Sequence, residues 1–333
     1  MMDKLWKEIS KVYKSFNDDL VAIEKYIEES IPVDSPPVLY DASRHLITMG
    51  GKRIRPVLTL LSYKSVSPQG TLDEVFPIVV AIELIHTATI VHDDIIDRST
   101  KRRGGATVNA KWGDEIAILA GDLLFSEAFG LVGTHRNREV SGIISRTCAK
   151  LAEGEVLETL HTEDYDMTEE VYLEVIERKT ASLFDAATRT GAIVGGGSKE
   201  EVKALARYGY FLGIGFQMID DLLDITSGEN ILGKPVGIDI ALGKSTFVIL
   251  HALHHCSHGE NVELRKILNK REKNSGDLEK AKDIMEHCGS LNYALKRSKY
   301  FVEKGKKELS TVRENPATKA LDIIADCVLK REF

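Results

Sequence analysis

IHTATIVHDDIIDRSTKRRGG, Ile85 to Gly105, sets Asp93, Asp94 and Asp97 into an otherwise apolar run and follows them with Lys101, Arg102 and Arg103. If the run is helical, Asp93 and Asp97 fall at i and i+4, one above the other on the same face. Stacked carboxylates repel unless a cation lies between them, and the cost rises in surroundings as apolar as Ile90, Val91, Ile95 and Ile96. Mg2+ suits the spacing, because it takes one or two carboxylates and completes its octahedron with water and phosphate oxygens. The trailing arginines fit the same idea, since guanidinium groups grip phosphate bidentately. A solvated acidic helix face is the plain alternative.

Outward from this stretch, GIGFQMIDDLLDITSG repeats the pattern with Asp220, Asp221 and Asp224. Two such motifs on separate helices, each followed by Lys or Arg, suggest opposing walls of a cavity that holds several metals and a diphosphate. Between and beyond them the 3.6-residue period dominates. Leu5, Ile9, Val12 and Phe16 form one stripe, and Val202, Leu205 and Ala206 with Gly209 and Phe211 form another. Period-two alternation is hard to find, so the expected class is all-α. Pro32, Pro36 and Pro37 close a first helical region, Pro68 with Gly70 marks a turn, Asp166 to Glu169 reads as a helix start, and Gly228 to Gly243 as a longer loop. The charged tail from Glu263 reads as a solvated helical pair covering the core.

With 333 residues and 43% hydrophobic composition, the chain supports a substantial core. No Pro/Gly/Ser linker divides it, so a single domain over 1–333 is expected. A net charge of -7 argues against general nucleic-acid binding and leaves anionic substrates to local cations or metals. Cys148, Cys256, Cys288 and Cys327 are widely spaced without a CxxC pair, which indicates neither a zinc ribbon nor a disulfide framework and makes a reducing cytoplasm the expected location. The N-terminal stretch lacks the continuous apolar segment of a signal peptide. Val75 to Val91 is interrupted by Pro77, Glu83 and His86 and reads as a buried core helix; no transmembrane segment is expected.

Further clusters invite other readings. Gly50-Gly51-Lys52-Arg53-Ile54-Arg55-Pro56 packs three cations around a glycine pair, a device for binding an anion. Gly243-Lys244-Ser245-Thr246 suggests a nucleotide phosphate loop, but GxxxxGK[ST] needs glycine where Ile238 stands, and no strand pattern precedes it. His86, His92 and Asp93 loosely suggest a two-metal phosphohydrolase, which would leave the second aspartate motif without a task. His251, His254, His255 and His258 have helical spacing and read as a histidine-rich helix end rather than a zinc site.

Taken together, GGKRIRP, His86 seven residues before Asp93, DDIID followed by RRG, GDLLF at Gly121 to Phe125, ERKTASLF at Glu177 to Phe184, FQMIDDLLD and GKPVGIDIALGKST resemble the trans-isoprenyl diphosphate synthase family, in its order, from about residue 50 to 250. The resemblance implies an all-helical bundle around a deep central cavity, normally a homodimer, that joins an allylic diphosphate head to tail to isopentenyl diphosphate and releases pyrophosphate. It implies Mg2+, three ions per active site, held by Asp93 and Asp97 from the first wall and Asp220 from the second, with Asp94, Asp221 and Asp224 supporting. Arg102, Lys179, Lys234 and Lys244 would hold the allylic diphosphate, and Lys52, Arg55, His86 and Arg103 isopentenyl diphosphate. Thr180 and Gln217 would face the carbocation. Phe247-Val248 stands where the family commonly has Leu-Pro, and Gly105-Ala106 where Lys-Pro is frequent; neither replaces a residue with an assigned polar role.

Product length follows from the residues preceding the first motif. A growing tail would pass Thr89, Ala88 and Ile85, with Ala81 deeper and Phe125 or Phe129 as floor. Farnesyl-forming relatives often block this path with an aromatic residue near the Ala88 position, so Ala88 implies a product of C20 or longer. The alternatives are a class I terpene cyclase, whose second metal motif normally mixes Asn, Ser and Glu, and a catalytically silent subunit of a heteromeric synthase.

Overall fold

The structure, a computed structural model, describes Lys14 and residues 16–226 and 237–330. The chain opens with α1 (Asn17–Glu29), α2 (Pro37–Thr48), α3 (Ile54–Val66) and α4 (Leu72–Ile96). A two-residue antiparallel ladder, β1 (Lys101–Arg102) with β2 (Gly105–Ala106), leads into α5 (Val108–Trp112), α6 (Asp114–Gly133) and α7 (Arg138–Leu160). Next come α8 (Glu169–Ile176), a π-helical turn (Glu177–Ala181), α9 (Ser182–Val194), α10 (Lys199–Thr226) and the single turn α11 (Ile238–Ala241). The C-terminal part comprises α12 (Phe247–His255), α13 (His258–Leu268), α14 (Ser275–His287), α15 (Ser290–Glu308) and α16 (Pro316–Leu329). The chain is all-α, as its periodicity predicts.

Two helices organise the bundle. α4 is apolar all round, as a helix must be to sit in a core, and it packs against α6, α3, α9 and α1. α10 packs against α15 and α9. Each carries an aspartate motif toward its C-terminal end, so the placement of these two helices places the chemistry. The punctuation agrees: Gly70 N–H closes a turn onto Ser67 O at 3.0 Å, and Thr168 caps α8 by accepting from Val171 N–H.

Three expectations need revising. The charged tail is not a covering pair: α15 buries Ala294, Ser298, Val302 and Gly305, a stripe of small residues that lets it lie closely on α10, while Leu321 of α16 is fully enclosed. Its high charge hides that stripe. The ladder at Lys101–Ala106 is too short to produce an alternating pattern; its turn places Arg103 and Gly104 at φ +50° and +79°, as a type I′ turn requires. Of the loop expected from Gly228 to Gly243, α11 occupies part and residues 227–236 lie outside the described ones, as do Leu5, Ile9 and Val12.

α4 and α6 are long and apolar enough to cross a membrane by length and composition. The most apolar window of α4 is 72% buried within the bundle, whereas that of α6 is 33% buried, leaving Ile118, Leu119 and Phe129 exposed.

Candidate active site

The last turns of α4 carry the first motif. Asp93 and Asp97 line a cavity of about 190 Å³ that adjoins a larger one of about 930 Å³, and Asp93 lines both. Burial pushes the Asp93 carboxyl up to about 7; Lys179 opposes this, while Glu155, Glu158 and Asp97 reinforce it. Asp94 lines neither cavity. Fully enclosed, its carboxylate takes a bidentate grip from Arg102, with Nε 2.8 Å from Oδ1 and 3.0 Å from Oδ2, and Nη2 2.7 Å from Oδ1. A carboxylate so engaged fixes Arg102 of the hairpin, which lines both cavities.

Opposite α4, the π turn carries Lys179 and Thr180. Such turns re-aim side chains inside a helix and occur frequently at functional sites. Two small residues make room for it: a Cβ on Gly154 of α7 would lie 2.4 Å from the backbone nitrogen of Lys179, and one on Gly213 of α10 would lie 2.6 Å from Ala181 Cα. Lys179 Nζ meets Glu155 at 2.7 Å and Glu158 at 2.5 Å, and Lys244 meets Asp97 at 3.2 Å and Glu158 at 3.6 Å. Burial works against both ammonium charges, but the carboxylates outweigh it and hold both lysines above their ordinary range. For Glu158 the same attraction overcomes burial and lowers its carboxyl. Four carboxylates thus crowd two lysines here, an excess of negative charge suited to divalent cations.

The second wall comes from α10. Asp220, Asp221 and Asp224 line the larger cavity, joined by Asp239 of α11, whose backbone N–H donates to Asp224 Oδ2 at 3.1 Å. Asp221 is engaged by Tyr172 Oη at 2.6 Å and Gln217 Nε2 at 2.8 Å, and Thr180 Oγ1 donates to Gln217 Oε1 at 2.8 Å. Asp221 is thus held between Tyr172 and Gln217 while it lines both cavities. Lys234 lies outside the described residues. The Ser245 and Thr246 hydroxyls, beside Lys244, are buried without hydrogen-bond partners and line the smaller cavity, a cradle short of an acceptor such as a phosphate oxygen.

Away from the aspartates the larger cavity is basic. Lys52, Arg55, His86 and Arg103 line it. Burial, with Arg55 and Arg103 nearby, holds His86 well below its ordinary range, so the neutral ring accepts from Arg55 Nη1 at 3.0 Å. Arg55 also lies over the Phe184 ring at 4.6 Å. Arg103 donates to Leu46 O at 3.1 Å and to Gly50 O, which fixes the strained residue of the hairpin turn against the glycine pair. Arg53, left without a role by the sequence, is the buried anchor of this loop. It pairs with Glu83 at 2.7 Å and Glu24 at 2.8 Å and donates to Ile47 O at 2.9 Å.

Among the described residues no three His, Cys, Asp or Glu side chains converge into an all-protein metal cage. Of the chain-length candidates, Thr89 opens onto the larger cavity with Phe125, whereas Ile85, Ala88 and Ala81 are completely enclosed in the core. Phe129 lies on the outer surface, so of the two phenylalanines only Phe125 lines the cavity. Glu155, Glu158, Asp239 and Tyr172 were not singled out from the sequence. Asp239 stands inside the GKPVGIDIALGKST motif, and the other three carry no local signal that sets them apart from ordinary helix residues.

Comparison with known proteins agrees with this geometry. A family model described as polyprenyl synthetase matches residues 36–285. The chain is 43% identical over 316 residues to a short chain isoprenyl diphosphate synthase of Methanothermobacter thermautotrophicus, covering 93% of this chain and 95% of that one. It is 40% identical over 316 residues to a geranylgeranyl diphosphate synthase of Methanosarcina mazei, with the same 93% and 95% coverage. Among solved structures, a polyprenyl synthase from Caulobacter crescentus complexed with calcium and isoprenyl diphosphate superposes with a TM-score of 0.92 at 31% identity, over 98% of each chain.

Proposed function

The chain belongs to the polyprenyl synthetase family, and from that premise we propose that it is a trans-prenyltransferase joining an allylic prenyl diphosphate head to tail to isopentenyl diphosphate with release of pyrophosphate. One observation carries the reading: a single cavity is lined both by carboxylates with a lysine, Asp93, Asp220, Asp224, Asp239 and Lys179, and by a basic group of Lys52, Arg55, His86 and Arg103. Two anions of unlike fate need two such groups. The diphosphate that leaves must have its developing charge stabilised, whereas the one that stays needs only to be held.

Asp93, Asp97 and Asp220 are the residues that would hold Mg2+, three ions per site, with Asp224 and Asp239 beside them. Mg2+ bound there supplies Lewis-acid stabilisation of the departing pyrophosphate. Lys179, Lys244 and Arg102 grip the allylic diphosphate, and Lys234 joins them by its place in the motif. The contacts of Lys179 and Lys244 with Glu155, Glu158 and Asp97 hold the lysines in place until a diphosphate takes over. Thr180 and Gln217 turn dipoles, not nucleophiles, toward the carbocation, so no covalent enzyme intermediate forms. Thr89, open to the cavity beside Phe125, leaves a path for a tail, which supports a product of C20 or longer, as does the relative that is a geranylgeranyl diphosphate synthase.

The purified protein with Mg2+ is expected to consume isopentenyl diphosphate only when an allylic diphosphate is supplied, and to stop when the metal is chelated. Consumption of the allylic diphosphate alone would instead indicate a cyclase, and phosphate release from a single substrate a phosphohydrolase.

The same reading makes the protein one domain over 1–333, a cytoplasmic enzyme and a homodimer. The four cysteines are free, which supports a reducing location. The half-uncovered apolar face of α6 supports pairing with a second copy. Sedimentation should give twice the 37.0 kDa of one chain; a species of single-chain mass at micromolar concentration would contradict the dimer.

A further inference from the structure

We propose that Tyr172 is a positioning residue for the ionisation step, fixing through Asp221 which end of the Gln217 amide faces the allylic cation. The inference rests on the prenyltransferase reading and adds to it a residue outside the motifs. Four side chains form a directional chain along the smaller cavity: Tyr172 Oη to Asp221 Oδ2 at 2.6 Å, Gln217 Nε2 to Asp221 Oδ1 at 2.8 Å, and Thr180 Oγ1 to Gln217 Oε1 at 2.8 Å. With Tyr172 Oη donating to Oδ2, an ionised Asp221 leaves Oδ1 as an acceptor. The Gln217 amide must therefore present its NH2 to Asp221 and its carbonyl to Thr180 and the cavity.

The sign of that dipole matters. A carbonyl oxygen stabilises a nearby allylic cation, and an amide NH2 opposes it. Tyr172 is well built to hold the arrangement. It is 3% exposed, and its ring lies 5.4 Å from that of Phe247. Burial, with Asp221 beside it, keeps the phenol well above its ordinary range, so it stays a donor. Without this hydroxyl the Asp221 carboxyl loses one of two anchors, and the amide it orients is free to turn.

Tyr172→Phe tests the proposal, alone and in a Gln217→Leu background. With Gln217 present, kcat is expected to fall about tenfold, the worth of one buried hydrogen bond, while KM for both substrates stays within about twofold. In the Gln217→Leu background the same substitution should have no further effect, because a residue acting through Gln217 has nothing left to orient. An equal loss in both backgrounds, or a kcat unchanged with Gln217 present, would overturn it. A crystal structure of Tyr172→Phe reads the amide independently of turnover: Gln217 in more than one orientation is expected, and Gln217 held as in the parent overturns the proposal. A parent enzyme that fails to consume isopentenyl diphosphate would instead defeat the functional reading, leaving the amide orientation to decide this one.

Discussion

Asp93→Ala is expected to lower elongation by at least about 10²–10³-fold, the scale on which removing one preorganised stabiliser of developing charge acts. Asp93 lines both cavities and lies within the last turns of α4, the core helix that fixes its position. The fold should not suffer. Burial, Glu155, Glu158 and Asp97 all disfavour the charged carboxylate, so removing it relieves repulsion, and the melting temperature of the metal-free protein should hold or rise. Steady-state kinetics with a thermal melt check both halves. Retention of more than a tenth of the parent rate would show that Asp93 does not carry the metal chemistry.

Arg53→Met is expected to cost about 3–5 kcal/mol of stability at pH 7, because it strands the Glu83 carboxyl inside the protein. The side chains of Arg53 and Glu83 are 7% and 2% exposed; Arg53 Nη1 holds Glu83 Oε1, and Oε2 has no hydrogen-bond partner. Burial already pushes Glu83 above the ordinary carboxylate range against the pull of Arg53; for Arg53, Glu24 and Glu83 outweigh burial and hold it above its own. The pH dependence has a definite sign. Without Arg53, the folded-state carboxyl lies still higher, so the penalty is largest at high pH. It should shrink as pH falls toward the parent's own folded-state value for Glu83, which is already above the ordinary range, because the unfolded carboxyl is common to variant and parent. Urea denaturation at pH 7 and pH 5 measures it. Arg53→Met with Glu83→Leu should recover part of the loss. A single-variant cost below about 1 kcal/mol would mean that the pair is not what fixes the GGKRIRP loop.

Why some of this is legible in the sequence and some is not follows from where each property resides. Asp93 and Asp97, or Asp220 and Asp224, declare themselves because charge in an apolar helical run is costly and needs a reason. Both motifs come to one cavity, as does the basic cluster at Lys52, Arg55, His86 and Arg103. Within a motif, however, the pattern does not say which carboxylate faces the cavity. Asp94 shares the motif composition yet is enclosed against Arg102, whereas Asp221 lines the cavity while it also holds Gln217. The π turn at Glu177–Ala181 leaves no trace in ERKTASLF, because its room comes from Gly154 and Gly213 on other helices. Arg53 reads as one more cation among three, and only its partners on α1 and α4 reveal it as an anchor. Ala88, expected on the tail path, is enclosed by core packing that no single-helix reading shows, while its neighbour Thr89 reaches the cavity.

Mass analysis of the prenyl products made from isopentenyl diphosphate with C5, C10 and C15 allylic diphosphates in turn, in the presence of Mg2+, tests the central claim most directly. Head-to-tail condensation predicts products lengthened in five-carbon steps and ending at C20 or beyond. Unextended primers in every incubation with folded protein would contradict the assignment of this cavity to prenyl transfer by this chain alone.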